Sequence, residues 1–119
     1  MLTQKPISIE GLSELIKRKV AMVPFECVYF VLRKMRVKPL KKQTVETMRI
    51  CLAIHRLGFP ITVSMVAGLR GRVQGTTTDS LHMLGDKKCL ILLRGSRSRL
   101  SRWIVSPDFL RYFNGDYQS

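Results

Sequence analysis

Apolar residues recur at helical spacing through most of this chain and close up into unbroken runs near its C-terminal end. The stretch "GLSELIKRK" sets Leu12, Leu15 and Ile16 on one side of a short helix. "VPFECVYFVLRKMRV" repeats the pattern with Phe25, Val28, Tyr29, Leu32 and Met35, and Pro24 suits a first helical position. The same segment is rich in strand formers, so a strand stands as the alternative. Pro39 disfavours helix at Lys38 and marks a boundary there.

The clearest helix lies in "TVETMRICLAIHRLGFP". Thr44 is its expected cap and Glu46 falls in its first turn. Val45, Met48, Cys51 and Leu52 share an inward face, Glu46, Arg49 and Arg56 an outward one, and Gly58 and Pro60 end it. "ITVSMVAGLRG" predicts a shorter helix capped by Thr62 or Ser64, with Val63, Val66 and Ala67 inward. "RVQG" reads as a turn between Gly71 and Gly75. Thr76 then opens a third helix with Thr77, Leu81 and Leu84 inward at i, i+4 and i+7. "CLILL" and "SRWIV" predict two strands joined by "RGSRSRL". "SPDFLRYF" predicts a last short helix, capped by Ser106, with Phe109 and Phe113 inward. The fold class is therefore mainly α with a small β-hairpin, an α+β chain. Residues 1–42 form an N-terminal extension, 43–113 the main domain and 114–119 a tail.

Charge changes what this domain is expected to do. Lys and Arg total 21 against 8 Asp and Glu, a net charge of +13 in 119 residues. Such an excess implies a polyanionic partner, nucleic acid before an anionic membrane. The 45% of apolar residues suffice for a core, so the chain is not a disordered basic tail. The basic residues cluster. Arg33–Lys42 carries six of them and no acid, as does Lys87–Arg102. The first run either extends a phosphate-binding surface or is a solvated linker. Lys87 and Lys88 suit the negative end of the third helix.

Helix, short helix, turn, helix, hairpin, helix is the order of a winged helix-turn-helix. Residues 43–113 resemble that family most in "TTTDSLHMLGDKKCLILLRGSRSRLSRWIVSP", which is similar to the recognition helix and wing of transcriptional regulators. Two positions depart from the pattern. Lys88 stands where such domains place a glycine past the helix, and Thr77 where they place Val or Ile. The resemblance implies a helix in the DNA major groove and a hairpin on the minor groove or flanking phosphates. The candidate DNA-binding residues are Arg70 and Arg72 at the turn, Thr76, Thr78, Asp79 and His82 on the helix, and Arg94, Arg97, Arg99 and Arg102 on the hairpin. Capping is the plainer role for Thr76, and guarding a sheet edge the plainer role for the arginines. Asp79 would have to accept from a cytosine amino group or pair with a cation.

The expected function is sequence-preferring double-stranded DNA binding in transcriptional regulation. The alternatives are a structural component of a nucleoprotein particle that binds DNA or RNA without preference, and a replication or plasmid-maintenance factor. The extension either pairs two copies into a homodimer or packs onto its own domain. No membrane partner is expected, because no run reaches the ~18 apolar residues of a span. "MLTQKPISIEGLSELIK" lacks the basic-then-apolar order of a secretory signal. Cys27, Cys51 and Cys89 are odd in number and show no metal-ligand spacing, so each is expected as a buried small hydrophobe in an intracellular protein, cytoplasmic or nucleoid, or nuclear in a eukaryote. His55 and His82 lack acidic or cysteine partners, and no nucleotide-binding loop is present. No enzyme, cofactor or metal is expected.

Overall fold

A computed structural model of the chain describes residues 9–71, 74–93 and 102–113. Six helices and two strands follow in the order α1 (Ile9–Ala21), α2 (Phe25–Lys34), α3 (Lys42–Leu57), α4 (Val63–Arg70), α5 (Gln74–Asp86), β1 (Leu90–Leu93), β2 (Arg102–Val105) and α6 (Pro107–Tyr112). The chain is thus mainly helical with a small antiparallel sheet. α2 is a helix, the first of the two readings its sequence left open, and the strand alternative falls. Pro24 sits one residue before it, with extended backbone, rather than at its first position.

α3 is the axis of the molecule. It touches α1, α2, α4, α5 and β2. Thr47, Ile50, Ala53 and Ile54 are buried along with the expected Val45, Met48, Cys51 and Leu52. A helix buried nearly all round is enclosed by others, and the second buried face here is covered by α1 and α2. One core therefore runs from Ile16, Val23 and Val28 through α3 to Leu84, Trp103 and Phe109, so the N-terminal extension shares the domain's interior. α3 starts at Lys42 after Lys41 as its cap position, three residues earlier than a Thr44 cap would place it. Thr44 is buried instead of capping, and Glu46 lies beyond the first turn.

Arg49 was expected on the solvent face and is half-buried. Its guanidinium donates to the backbone carbonyls of Val23 and Val20, the latter at 3.1 Å, and lies 4.2 Å from the centre of the Phe25 ring. One cation thus closes the turn between α1 and α2 onto α3.

β1 and β2 pair antiparallel with Leu90 opposite Val105 and Leu93 opposite Arg102. Leu90, Trp103 and Val105 face the core, while Ile91, Leu93, Arg102 and Ile104 face outward and are exposed. A further rung joins the sheet from outside the hairpin: Ile61, between α3 and α4, bridges Trp103, whose N–H donates to the Ile61 carbonyl at 2.9 Å. A single-residue bridge leaves no alternation to read, so nothing in the sequence pattern announced it.

The helix ends follow local chemistry. Thr62 caps α4 by accepting from the Met65 N–H, and Ser106 caps α6 by accepting from the Phe109 N–H. α3 ends on Gly58 at φ 81°, left-handed backbone that glycine adopts without a Cβ penalty. α2 and α5 end in the same geometry without glycine. Arg36 has φ 61° and Lys88 φ 67°. In both, the next amide reaches back five residues, Val37 to Leu32 and Cys89 to Leu84, each at 2.9 Å. Lys88 therefore occupies the position where the resemblance places glycine, in the backbone form that glycine would take.

Candidate nucleic-acid interface

α5 begins at Gln74, two residues before the expected opening at Thr76, so its three threonines lie within the first two turns. Thr77, Leu81 and Leu84 are fully buried, as their spacing predicts. A polar group at a buried position needs a partner. Thr77 has one: Arg70 donates from Nη1 to its hydroxyl at 3.3 Å. Arg70 is half-buried and its charge also acts on the buried Cys51 thiol. This candidate therefore turns toward the core and holds α4 to α5, where a phosphate-facing role had been expected. Thr77 in place of Val or Ile is accommodated by that hydrogen bond.

The remaining helix candidates divide by direction. At 3.6 residues per turn, Gly75, Asp79, His82 and Asp86 form one outward ridge. Asp79, His82 and Asp86 are exposed there. Thr78 is half-buried, and its hydroxyl donates to the Gln74 carbonyl at 2.8 Å, a back-bond within its own helix. His82 stands edge-on to Trp103 with ring centres 5.1 Å apart. Gly85 lies under the same indole; a Cβ there would sit 3.0 Å from it. This side of α5 is therefore set directly against the sheet.

On roughly the opposite side of α5, Thr76, Asp79, Ser80, Met83 and Lys87 form one wall of a cleft. The other wall is the chain between α2 and α3, from Lys38 to Lys41, with Gln43 and Thr44 of the first turn of α3. Lys38, Lys41 and Lys87 are exposed. Among the described residues their side chains carry no hydrogen bond or ion pair. None of the three was among the sequence candidates. The signal for Lys38 and Lys41 was the acid-free basic run at 33–42, whose two readings the sequence left open, while Lys87 opens the second run and was expected at the negative end of the third helix.

Arg102 is exposed but lies on the outer face of the sheet beside Ile104, opposite to the face that carries Trp103 toward α5. It is not brought together with the α5 ridge. Arg72, Arg94, Arg97 and Arg99 lie outside the described residues. Among the described residues, no group of three His, Cys, Asp or Glu could hold a metal ion, and no helix is long and apolar enough to cross a membrane. All three cysteines are buried. Burial pushes the Cys89 thiol up to about 12 and raises Cys51 further, against the opposing charge of Arg70. Neutral, enclosed thiols are poor nucleophiles and act here as core hydrophobes.

The chain matches no family model, no curated protein and no solved structure.

Proposed function

We propose that this chain binds double-stranded DNA through a winged helix-turn-helix and serves as a transcriptional regulator. In this reading α4 and α5 are the helix-turn-helix, α5 enters the major groove, and the β1–β2 hairpin is the wing. The seating of α5 carries the reading. Its outward ridge is open to solvent, its inner face is buried, and the sheet stands directly beside it through the His82–Trp103 contact. A major groove about 12 Å wide admits a helix presented in this way. The Ile61 rung supports the reading, because it ties the start of the helix pair to the returning strand. So does the net charge of +13, which suits a partner lined with phosphates.

The ridge also narrows what such a helix would read. Asp79 and Asp86 are its exposed charges, and α5 has no basic residue in its last turn. A carboxylate at the floor of the major groove accepts from the amino group of cytosine. The preferred site would therefore carry cytosine opposite Asp79.

Site selection from random duplex, followed by binding across a salt series, tests this. The expected result is a selected duplex that stays preferred over random duplex and over RNA at physiological salt. Asp79→Ala should relax discrimination at one C·G pair by about 1–3 kcal/mol and change affinity for random duplex little. Equal affinity for all three nucleic acids would point instead to a non-specific component of a nucleoprotein particle. Absence of duplex binding would overturn both readings.

A further inference from the structure

We infer that the cleft between α5 and the α2–α3 connection is a second seat for phosphate backbone, separate from the hairpin. This rests on the nucleic-acid reading and adds a contact surface to it. The lysines of the two walls come from elements far apart in sequence, Lys38 and Lys41 from one and Lys87 from the other. Attraction to the negative end of α5 accounts for Lys87 but not for the other two. The connection that carries them is held in place. Arg36 and Val37 close the end of α2 with backbone hydrogen bonds of 3.0 and 2.9 Å, and Val37 and Leu40 pack against the core. Beyond Lys87 the same strip continues into a neighbouring hollow bordered by Lys88 and Arg111.

Four lysines thus border the two hollows, Lys38, Lys41, Lys87 and Lys88, and Arg111 stands at the far end with its guanidinium over the Tyr112 ring at 5.1 Å. Asp79 and Asp108 also border the strip, which leaves an excess of basic groups. An extended row of positive point charges suits an extended row of phosphates. The part of the strip formed by Lys38, Lys41 and Lys87 lies on the side of α5 away from Trp103, whereas Lys88 and Asp108 also border the hollow that Trp103 lines. A duplex whose groove received α5 would therefore meet cations on the flank that the sheet does not reach. The occupant is the phosphodiester strand bordering that groove.

The test is the salt dependence of binding to a random-sequence DNA duplex. Three proteins would be compared: the full chain, Lys38→Gln/Lys41→Gln/Lys87→Gln, and Lys17→Gln/Arg18→Gln/Arg33→Gln. The last loses the same charge at exposed positions that do not border the strip. Each phosphate contact contributes about 0.9 to the slope of log K against log salt. The strip variant should lose about 2–3 from the slope and the control less than about 1. Lys87→Gln alone should lose about 1, which keeps the test open if the triple variant melts early. Equal slopes for the two triple variants would overturn this inference and leave the DNA reading intact. No duplex binding by the unsubstituted chain would remove the DNA reading itself. Tighter binding to polyglutamate or to phosphatidylserine vesicles than to duplex, lost in the strip variant, would assign the strip to another partner and overturn the proposal.

Discussion

Arg49 and the lysines of the α5 cleft are cations in opposite surroundings. At the seam of α1, α2 and α3, the Arg49 guanidinium lies against a ring and donates to two carbonyls of its own chain. Along the cleft, Lys38, Lys41 and Lys87 reach solvent. Other basic residues resemble Arg49. Arg56 lies over Phe113 at 4.8 Å, Lys42 over Phe25 at 5.5 Å, and Arg70 is turned to Thr77. The net charge of +13 is therefore not spread evenly over one surface. Part of it fastens the fold, and part, Lys38, Lys41 and Lys87 among it, reaches solvent. A count of basic residues cannot make that distinction, since the two groups share the same residue types.

The sharpest way to break this comparison is to remove Arg49. Hydrogen bonds from a charged donor contribute about 1.5–3 kcal/mol each, and a partly desolvated cation over a ring adds about 1. Since such terms do not sum fully, Arg49→Ala should lower unfolding free energy by about 3 kcal/mol in denaturant titration. The slope of polyanion binding against salt should not move in the folded variant. A stable Arg49→Ala protein with weakened duplex binding would place Arg49 with the cleft lysines and erase the contrast.

A smaller effect is expected at Ser106, where two elements meet on one hydroxyl. It accepts from the Phe109 N–H at 3.1 Å and donates to the Lys88 carbonyl at 2.6 Å, so the start of α6 is fastened to the end of α5. The residue is 4% exposed, so neither partner is readily replaced by water. Ser106→Ala should cost about 2 kcal/mol, combining a lost cap with a carbonyl left unpaired. The melting temperature would fall, and hydrogen exchange would quicken at the Phe109 amide first. Equal exchange at Phe109 in both proteins would show that the hydroxyl does not fasten α6.

Much of the helical framework was legible in local signals. Gly58, Thr62 and Ser106 marked helix ends where the structure has them, and the inward residues of α5 and α6 followed their spacing. What escaped was tertiary. The second buried face of α3 exists because α1 and α2 cover it, and a single-helix periodicity cannot report two neighbours. Ile61 pairs with β2 as one residue, too short for a strand pattern. The cleft joins residues some forty positions apart. Thr77 at an inward position requires a polar partner, and Arg70, seven residues earlier on α4, supplies it, one of several nearby donors that the sequence alone does not rank.

The finest test of the contrast uses Lys88, which belongs to both sides of it. Its backbone is left-handed, a form that costs a residue with a Cβ roughly 1–2 kcal/mol. Its side chain is exposed at the edge of the basic strip. Lys88→Gly relieves the backbone and removes the cation at once. Glycine's greater freedom in the unfolded chain, and the loss of a positive group near the helix end, offset part of the gain. The net should be a stabilisation on the order of 0.5 kcal/mol in denaturant titration. Binding to random duplex should weaken, with the salt slope falling by about 1. Fold and surface would then respond with opposite signs to one substitution. If Lys88→Gly stabilises the protein and leaves the slope unchanged, the strip ends at Lys87. If it destabilises, the lysine side chain contributes more to the end of α5 than the left-handed backbone takes away.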